Sequence, residues 1–531
     1  MEKEKDDILF LGTRTEKFLR DFSETLPDPK QIGKGNERMI GSAFVYEKIR
    51  VALEYQEDHL VFKNAISRIL RRKYALWTVK DSKQLVADLI SELAWANYLN
   101  PEALGFETVV KIEKIVDRYL TLLNTIQSGH FARHEWQKMV IDWLACEIEE
   151  IFYPVLENRI ILDYAFEAIL PGLDLAGSRL SPEENKIQLL IAIYTQLFKP
   201  DLPKIQYFVI KQIYPDWQSP NLEQIKKIAR SFDPYFNKVD RAINHPFRKR
   251  YYGFVKKNIP TFILLRKVMM SSKVDVDKIK ERPAVLVNLI IEAYNNSVLE
   301  SRRKVWRGTF RALIFILLTK ISLAFILEIP FDRYLTGTVD YLSLIINVSL
   351  PPFLMFVAGT FVKSPPAKNL PLITKAAKEI ISGTQIEGKP FKLVEEKPTR
   401  TFHFFNVIYS IFTLTILLGV IRLLLYLHFN FVSIVLFFLF VSIVSFFSFR
   451  IRNIALELAM KRTRDDALTS TLELLLLPFI NIGKQISERF NRFNPFIIIL
   501  DFLIEAPLKI IIKIMNSWLR FVNIKKEELE S

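Results

Sequence analysis

The chain has 531 residues and a formal net charge of +15, and 50% of its residues are hydrophobic. Its 16 glycines are too few for glycine-rich phosphate-binding loops or a loop-dense β architecture to be expected. The single cysteine, Cys146, excludes an intramolecular disulfide and a cysteine-based zinc site.

The first 300 residues carry apolar side chains at helical spacing. Phe62, Ala65, Ile66, Ile69 and Leu70 are one example, since they follow the i, i+3, i+4 pattern of an amphipathic helix. Convincing runs of alternating strand residues are absent from the sequence. The expected fold class is therefore all-α.

Helix start and stop signals, together with changes in composition, suggest the domain boundaries. Ser181-Pro-Glu-Glu184 has the form of a helix N-cap with proline in the first turn. A change of character near Pro171 to Pro182 indicates a boundary between two helical subdomains. The predicted domains are a loosely packed arm (1–40), two helical cytoplasmic subdomains (41–175 and 176–300), a four-span membrane domain (301–452) and a cytoplasmic-side amphipathic region (453–531).

Four apolar stretches are long enough to cross a bilayer as helices. A helix needs about 20 apolar residues for this, and in lipid the backbone must satisfy its own hydrogen bonds. The predicted spans are 309–330, 339–362, 402–427 and 429–449. The alternative is four buried helices of a soluble protein, but the run from Ile434 to Val441 is apolar on every face, which suits lipid better.

Basic flanks alternate with non-basic flanks in register with these spans. Arg302, Arg303, Lys304 and Arg307 precede the first span, whereas the loop after it has a net charge of −2. The loop from 363 to 401 carries eight Lys or Arg residues against four acids, and further basic residues follow the fourth span. The positive-inside rule therefore predicts that both termini are cytoplasmic.

The segment from 496 to 521 has a different pattern. Its polar residues recur every four positions and form one helical stripe beside Ile, Leu and Phe. This pattern predicts an amphipathic helix lying along the inner leaflet, and a fifth span is the alternative. Lys509, Lys513 and Trp518 are its candidate contacts to lipid headgroups.

Three intramembrane polar residues are candidate functional residues: Lys320, Asn347 and Arg422. Lys320 lies near the middle of the first span, where a charge is costly and often functional. We expect no acidic partner at its depth, so Asn347, Ser343 or Ser349 would hydrogen-bond it, or it would snorkel to the interface. Arg422 lies nearer a span end and is expected to snorkel.

A basic segment interleaved with aromatics precedes the membrane domain. Its candidate headgroup contacts are Arg248, Lys249, Arg250, Lys256 and Lys257. Nucleic-acid binders share this composition, as do membrane-surface segments. Because the chain enters the bilayer about fifty residues later, we favour contact with anionic inner-leaflet lipid, or a solvated helix, over nucleic acid.

Signatures of catalysis, metal binding and cofactor binding are weak or missing. His130 and His134 have the i, i+4 spacing of metal ligands, but no second ligand cluster matches them, so a surface or capping role is favoured and no metal is predicted. The sequence has no P-loop, no nucleophile elbow, no His-Glu-x-x-His and no kinase signature set. We therefore favour a non-enzymatic protein without a cofactor.

One part of the sequence carries a family resemblance. Glu473 to Ile480 and Leu500 to Lys509 resemble uncharacterised multi-pass membrane proteins of small-genome, uncultivated bacterial lineages. The resemblance covers about the last eighty residues. It implies a bacterial inner membrane, and no activity is attached to that group.

Three functional hypotheses follow from these observations. The first is a membrane-anchored scaffold that binds an unknown protein partner or a second copy of itself. The second is an oligomeric transporter or channel component, for which Lys320 would contact the substrate. The third is an inner-leaflet protein that binds or modifies lipid, which would need a surface cluster of acids or histidines that the sequence does not show.

The predicted topology is testable with reporter fusions at residues 335, 380 and 531. We expect them to read outside, inside and inside, because the basic flanks orient the four spans. Alkaline phosphatase and fluorescent-protein activities measure the two sides. An outside reading at residue 531 would contradict the interfacial helix and favour the fifth span.

Overall fold

A computed structural model describes most of the chain. The described residues are 10–24, 60–75, 81–96, 98–99, 104–126, 133–152, 156–174, 180–271, 274–335, 337, 341–360, 362, 369–384, 391–392, 400–460 and 476–485. This part is 87% helical with almost no strand, which confirms the predicted all-α class. The interfacial helix predicted at 496–521 lies outside the described residues.

Contacts divide the described part into two compact units. The N-terminal helical unit takes the described residues within Lys17–Leu170 and Arg179–Val255. The membrane unit takes those within Met1–Glu16, Pro171–Ser178 and Lys256–Phe493. This division differs from the subdomains we predicted on either side of residues 175 and 176.

The described part of the N-terminal helical unit contains helices and short 3₁₀ turns. Its helices are α1 (Thr13–Glu24, of which Lys17 onward belongs here), α2 (Val61–Ala75), α3 (Ser82–Trp95), α4 (Phe106–Thr125), α5 (Arg133–Phe152), α6 (Leu156–Ile169), α7 (Pro182–Phe198), α8 (Leu202–Ile213), α9 (Leu222–Arg230), α10 (Phe232–Ile243) and α11 (Arg248–Lys256). The 3₁₀ turns are Leu170–Gly172 and Pro215–Gln218. The predicted cap of α7 is confirmed, because Ser181 and Glu184 form a reciprocal capping box.

The core of this unit surrounds Trp143 on α5. The Trp143 ring lies edge-on to Trp217 with the ring centroids 5.8 Å apart, and its Nε1 donates to Oε1 of Gln206 on α8 at 3.3 Å. The ring also packs against Phe232 and Phe236 of α10. Residues from both predicted subdomains therefore share one hydrophobic core, which explains why contacts group them together.

Part of the predicted arm is packed. Residues 13–24 form α1, and Phe18, Leu19 and Phe22 are buried. The Phe18 ring stacks on Tyr164 of α6 with centroids 4.5 Å apart. The remaining residues of the arm, apart from 10–12, lie outside the described residues.

The described part of the membrane unit is built from helices of 6 to 40 residues and one π turn. They are α12 (Ile259–Met269), α13 (Val276–Glu281), α14 (Ala284–Leu323), a π turn (Ala324–Glu328), α15 (Ile329–Leu335), α16 (Tyr341–Thr360), α17 (Asn369–Ser382), α18 (Arg400–Tyr426), α19 (Phe431–Ala455) and a helix at 476–485. A two-residue parallel pairing joins β1 (Leu173–Asp174) to β2 (Phe391–Lys392).

Among the described residues, four helices are long and apolar enough to cross a membrane, as predicted. They are Ala284–Tyr334, Tyr341–Thr360, Phe404–Tyr426 and Phe431–Ala455. The first is much longer than the predicted span 309–330, because α14, the π turn and α15 run on as one helix. The helix therefore begins at Ala284, about 25 residues before the predicted span, and it continues to Tyr334.

Three of the four spans share a tightly packed interior. Ala312 and Ile316 of α14, Met355 of α16, and Phe440 and Val444 of α19 form one buried cluster. By contrast, only 6% of the residues in the most apolar stretch of α18 are buried, against 39% in the corresponding stretch of α19. Near its end α18 does pack against α19, through Leu424, Phe429 and Phe437. In the described part, α14, α16 and α19 form the core of the membrane unit and α18 lies at its edge.

The turn between α18 and α19 is tight, as the limits of the predicted spans 402–427 and 429–449 require. His428 adopts a left-handed conformation with φ of 59°, which ends α18 in the manner of a helix C-cap. Asn430 then caps α19, because its Oδ1 accepts a hydrogen bond from the Ser433 backbone N–H at 2.6 Å.

Gly359 is required where α16 crosses α14. A Cβ at this position would lie 2.2 Å from Cγ2 of Thr309, and the buried, β-branched Thr309 has little rotamer freedom to move away. We expect Gly359→Ala to lower the free energy of unfolding by about 1–3 kcal/mol, measured by thermal unfolding in detergent.

Gly419→Ala is the matched control, since a Cβ at Gly419 on α18 meets nothing within 4 Å. It should leave the unfolding temperature unchanged or raise it slightly, because alanine favours helix. Equal effects of the two substitutions would contradict the close packing at Gly359.

Candidate functional site

The candidate site is a set of buried polar side chains inside the three packed spans. We call it the polar column, and it consists of Lys320, Glu328, Asp332, Asn347, Asn430 and Ser433. These residues come from α14, the π turn, α15, α16, the α18–α19 turn and α19. All six are buried or partly buried, although the surrounding helices are apolar.

The lipid-facing residues of the first span set the depth of the column. Trp306 is 54% exposed and Tyr334 is 90% exposed, and between them Phe310, Ile314 and Leu318 are also exposed. Trp306 and Tyr334 are about 28 residues apart, or roughly 42 Å of helix, which matches the thickness of a bilayer with its headgroups. Lys320 lies midway between them, which predicts that its charge lies near the centre of the bilayer.

Lys320 forms an ion pair with Glu328. The Lys320 Nζ lies 2.7 Å from Oε1 of Glu328, and the exposed fraction of both side chains is 0%. The ammonium group also lies over the Phe440 ring of α19, 5.1 Å from its centroid, where a cation is attracted to the aromatic face. The charge is therefore neutralised inside the protein and does not snorkel to the interface.

The π turn brings the two charges onto one face of the helix. The Ile329 N–H bonds to the Ala324 carbonyl, five residues earlier, so the turn holds one residue more than an α-helical turn. Residues seven apart in a regular α-helix are close to two full turns apart. Lys320 and Glu328 are eight residues apart, but the π turn takes up one extra residue. Glu328 therefore lies about two helical turns from Lys320, on the same face of the helix.

Asn347 links the ion pair to the second and fourth spans. Its Nδ2 donates to Oε2 of Glu328 at 2.8 Å and approaches the Ser433 carbonyl at 3.4 Å. The Ser433 hydroxyl lies 3.3 Å from the same Glu328 oxygen. Both carboxylate oxygens therefore have protein donors, whereas the Asn347 Oδ1 is buried without a partner.

The backbone next to Asn347 is also unusual. Pro351 and Pro352 lie inside α16 and are buried, and neither has an N–H to donate. The carbonyls of Asn347 and Val348 therefore lack the donor that an α-helix supplies four residues later. Such breaks are tolerated in membranes where neighbouring helices or side chains compensate.

Asp332 and Asn430 extend the column toward one end of the span. The Asn430 amide donates to the Asp332 carboxylate, while its Oδ1 caps α19. The residue that shapes the α18–α19 turn therefore also binds the helix that follows the π turn. The column thus connects the end of the first span to the start of the fourth.

The arrangement stabilises one packing of the described spans. Lys320, Glu328 and Asn347 each have an exposed fraction of 0%, so no water-sized space among the described helices reaches them. Removing one partner of a buried ion pair typically costs about 3–5 kcal/mol, because the other charge is left uncompensated. The chemistry that the column supports is mutual neutralisation of charge.

Sequence analysis identified part of this column. Lys320 and Asn347 belong to it, although Asn347 binds Glu328 and not Lys320. Ser349 is exposed on α16 and Arg422 is exposed on α18, and neither joins the column. We expected no acidic partner for Lys320, and this expectation was wrong because Glu328 lies inside the helix and not in a loop. Glu328 could have been recognised from the sequence, because it is an acidic residue in an apolar stretch, eight residues after Lys320.

The structure does not describe the side chains of the two histidines with metal-ligand spacing. His130 lies outside the described residues, and His134 lies in α5, where its side chain is not described. Within the described ranges, no group of three or more His, Cys, Asp or Glu residues could hold a metal ion.

The predicted headgroup contacts of the basic segment lie on and after α11. Tyr251, Phe254 and Val255 are buried, so these apolar residues fill the core and are not available to stack on bases. Lys249, Lys256 and Lys257 are exposed, and Arg248 and Arg250 are partly buried. Lys509, Lys513 and Trp518 lie outside the described residues.

A second buried polar cluster lies in the N-terminal helical unit, around Glu147 of α5. Arg118 forms an ion pair with Glu147, and the Tyr119 hydroxyl donates to its Oε2 at 3.0 Å. Trp217 Nε1 in turn donates to the Tyr119 hydroxyl at 3.1 Å. Burial raises the pKa of Glu147 although Arg118 opposes this. Because protein donors occupy both carboxylate oxygens, this cluster fits a structural role.

Comparison with known proteins adds no assignment. No protein-family model, no curated protein and no solved structure matches the chain. The interpretation of the polar column therefore depends on its own geometry.

The ion pair is testable with a double-mutant cycle. We expect Lys320→Met and Glu328→Met each to lower the free energy of unfolding by about 3 kcal/mol or more, since each leaves a partner unpaired. The double variant should lose less than the sum of the two, because no charge remains buried. The free energy of unfolding in detergent is measured for the unmodified chain, the two single variants and the double variant.

Arg422→Met is the matched control, because it removes a charge from an exposed position on a span. It should change stability little. Additive losses in the cycle would contradict a direct pair between Lys320 and Glu328.

Proposed function

We propose that this chain is a membrane-anchored interaction protein of a bacterial cytoplasmic membrane. The alternating basic flanks support an orientation in which the N-terminal helical unit, the loop from 363 to 401 and the basic residues that directly follow the fourth span are cytoplasmic. The resemblance of the last eighty residues supports the bacterial inner membrane. The four spans anchor and orient the helical unit, which binds a protein partner.

The closed polar column carries this proposal. A transport site must be reached by water or substrate from one side at a time, yet Lys320 and Glu328 are paired and fully buried. The spans are therefore suited to holding a fixed arrangement. That leaves the N-terminal helical unit, with its large described surface, as the part that acts.

The surface of this unit has an exposed aromatic residue at which the proposal can be tested. The Phe106 side chain at the start of α4 is 82% exposed, and aromatic residues are enriched in protein interfaces. Glu223 at the start of α9 is an exposed polar residue of the same unit. The two positions therefore form a matched pair for site-specific cross-linking.

The alternative is an oligomeric transporter or channel component. It is favoured by α18, whose outward residues Phe405, Ile411 and Leu418 are exposed along its length and could contact a second copy. Four spans in one copy rarely enclose a path alone. In that case the polar column would have to open when copies assemble.

Photo-cross-linking of the full chain in its native membrane distinguishes these functions. With the photoreactive residue at Phe106, we expect one defined partner protein in amounts comparable to the chain itself, and little product with the residue at Glu223. Mass spectrometry of the purified adducts identifies the partner. Cross-links only between copies, together with solute flux into proteoliposomes that Lys320→Met abolishes, would overturn the scaffold and favour the transporter.

A further inference from the structure

A row of arginines lies on α14 where the first predicted span begins. Arg303, Arg307 and Arg311 follow each other at intervals of four residues, which places them on one face of the helix. We call them the arginine stripe, and all three are exposed. Arg302 and Lys304 flank the stripe and are exposed as well.

The charges of the stripe are not neutralised by the described part of the protein. Among the described residues, no carboxylate lies within 4.0 Å of a nitrogen of Arg303, Arg307 or Arg311. The acid nearest in sequence, Glu300, pairs with Lys267 at 2.7 Å. The Arg307 Nε donates to the Arg303 carbonyl at 3.4 Å, which leaves its terminal guanidinium nitrogens to bind an anion.

The stripe lies at the level of the lipid phosphates. Trp306, between Arg303 and Arg307, is exposed and begins the lipid-facing row that continues through Phe310 and Ile314. Tryptophan is enriched at the headgroup level of a bilayer. Side chains of an α-helix lean toward its N-terminus, so the Arg307 and Arg311 side chains lean from the hydrocarbon layer toward the headgroups.

Two further basic residues lie at the same level. A Cβ on Gly308 of α14 would be 3.9 Å from Ile451 Cγ1 of α19, which brings the two helices side by side at this depth. Arg450 and Arg452 flank Ile451. Basic residues of α14 and α19 therefore lie at a similar depth, and Arg302, Arg303, Trp306 and Arg307 border an open depression on the surface of α14.

We propose that the arginine stripe binds the phosphate groups of anionic phospholipids, with an acyl chain lying along Phe310 and Ile314. Guanidinium groups bind phosphate oxygens in a bidentate manner. Basic clusters at the end of a span recognise anionic lipid. This site depends on α14 crossing the bilayer but not on the protein partner proposed above, so either proposal can fail without the other.

Native mass spectrometry of the full chain tests the site. The chain is purified in mild detergent and titrated with phosphatidylglycerol or phosphatidylcholine. We expect the unmodified chain to retain phosphatidylglycerol in preference to phosphatidylcholine. The triple variant R303Q/R307Q/R311Q should bind phosphatidylglycerol about tenfold more weakly or worse, because three charges near the headgroups are lost.

The control removes the same charge elsewhere. The triple variant K226Q/K227Q/R230Q changes exposed residues of α9 in the N-terminal helical unit and should bind lipid like the unmodified chain. A second variant, R303K/R307K/R311K, keeps the charge that orients the span but loses bidentate binding. It should show intermediate retention, and it decides the question if the glutamine variant does not insert.

Three results would overturn the site. They are equal retention of the two lipids by the unmodified chain, full phosphatidylglycerol retention by both stripe variants, and displacement of the lipid by inorganic phosphate alone. The last result would assign the stripe to a soluble anion.

Discussion

The ion pair between Lys320 and Glu328 constrains the rest of the membrane unit. Neither charge is stable alone at the centre of a bilayer, so each requires the other, and the carboxylate also requires Asn347 and Ser433 as donors. These donors belong to the second and fourth spans. The first span can therefore bury its charges only when α14, α16 and α19 are packed together in one register.

Local departures from regular helix make this arrangement possible. The π turn rotates Glu328 onto the face of Lys320, and Gly359 lets α16 approach α14 closely. Asn430 both caps α19 and binds Asp332. Each feature is small, but together they fix which helix faces contact. The span that contributes no residue of its own to this core, α18, is also the least buried.

Apolar length and charge determined which predictions succeeded. The four spans were predictable because each exceeds the thickness of the hydrocarbon layer, and the tight turn because only a few residues separate α18 from α19. Lys320 stood out because a charge in an apolar run has a cost. These signals are local and depend on a single stretch of sequence.

The partner of Lys320 was not predictable by the same means. Pro330 and the acids around it resemble a loop, and only the three-dimensional course of the π turn shows that Glu328 remains inside the helix. The common core of the N-terminal helical unit likewise depends on contacts between residues far apart in sequence, such as Trp143 and Phe232. Long-range packing of this kind produces no periodic pattern in the sequence.

Solid-state NMR of the full chain in lipid bilayers tests the central claim most directly. The dipolar coupling between ¹⁵Nζ of Lys320 and the ¹³C-labelled carboxyl of Glu328 reports their separation. A closed pair, with Nζ and Oε1 2.7 Å apart, predicts a strong coupling and slow exchange of the ammonium protons with water. A coupling too weak to detect, with rapid proton exchange, would show that the charges are apart and hydrated, and would contradict the account.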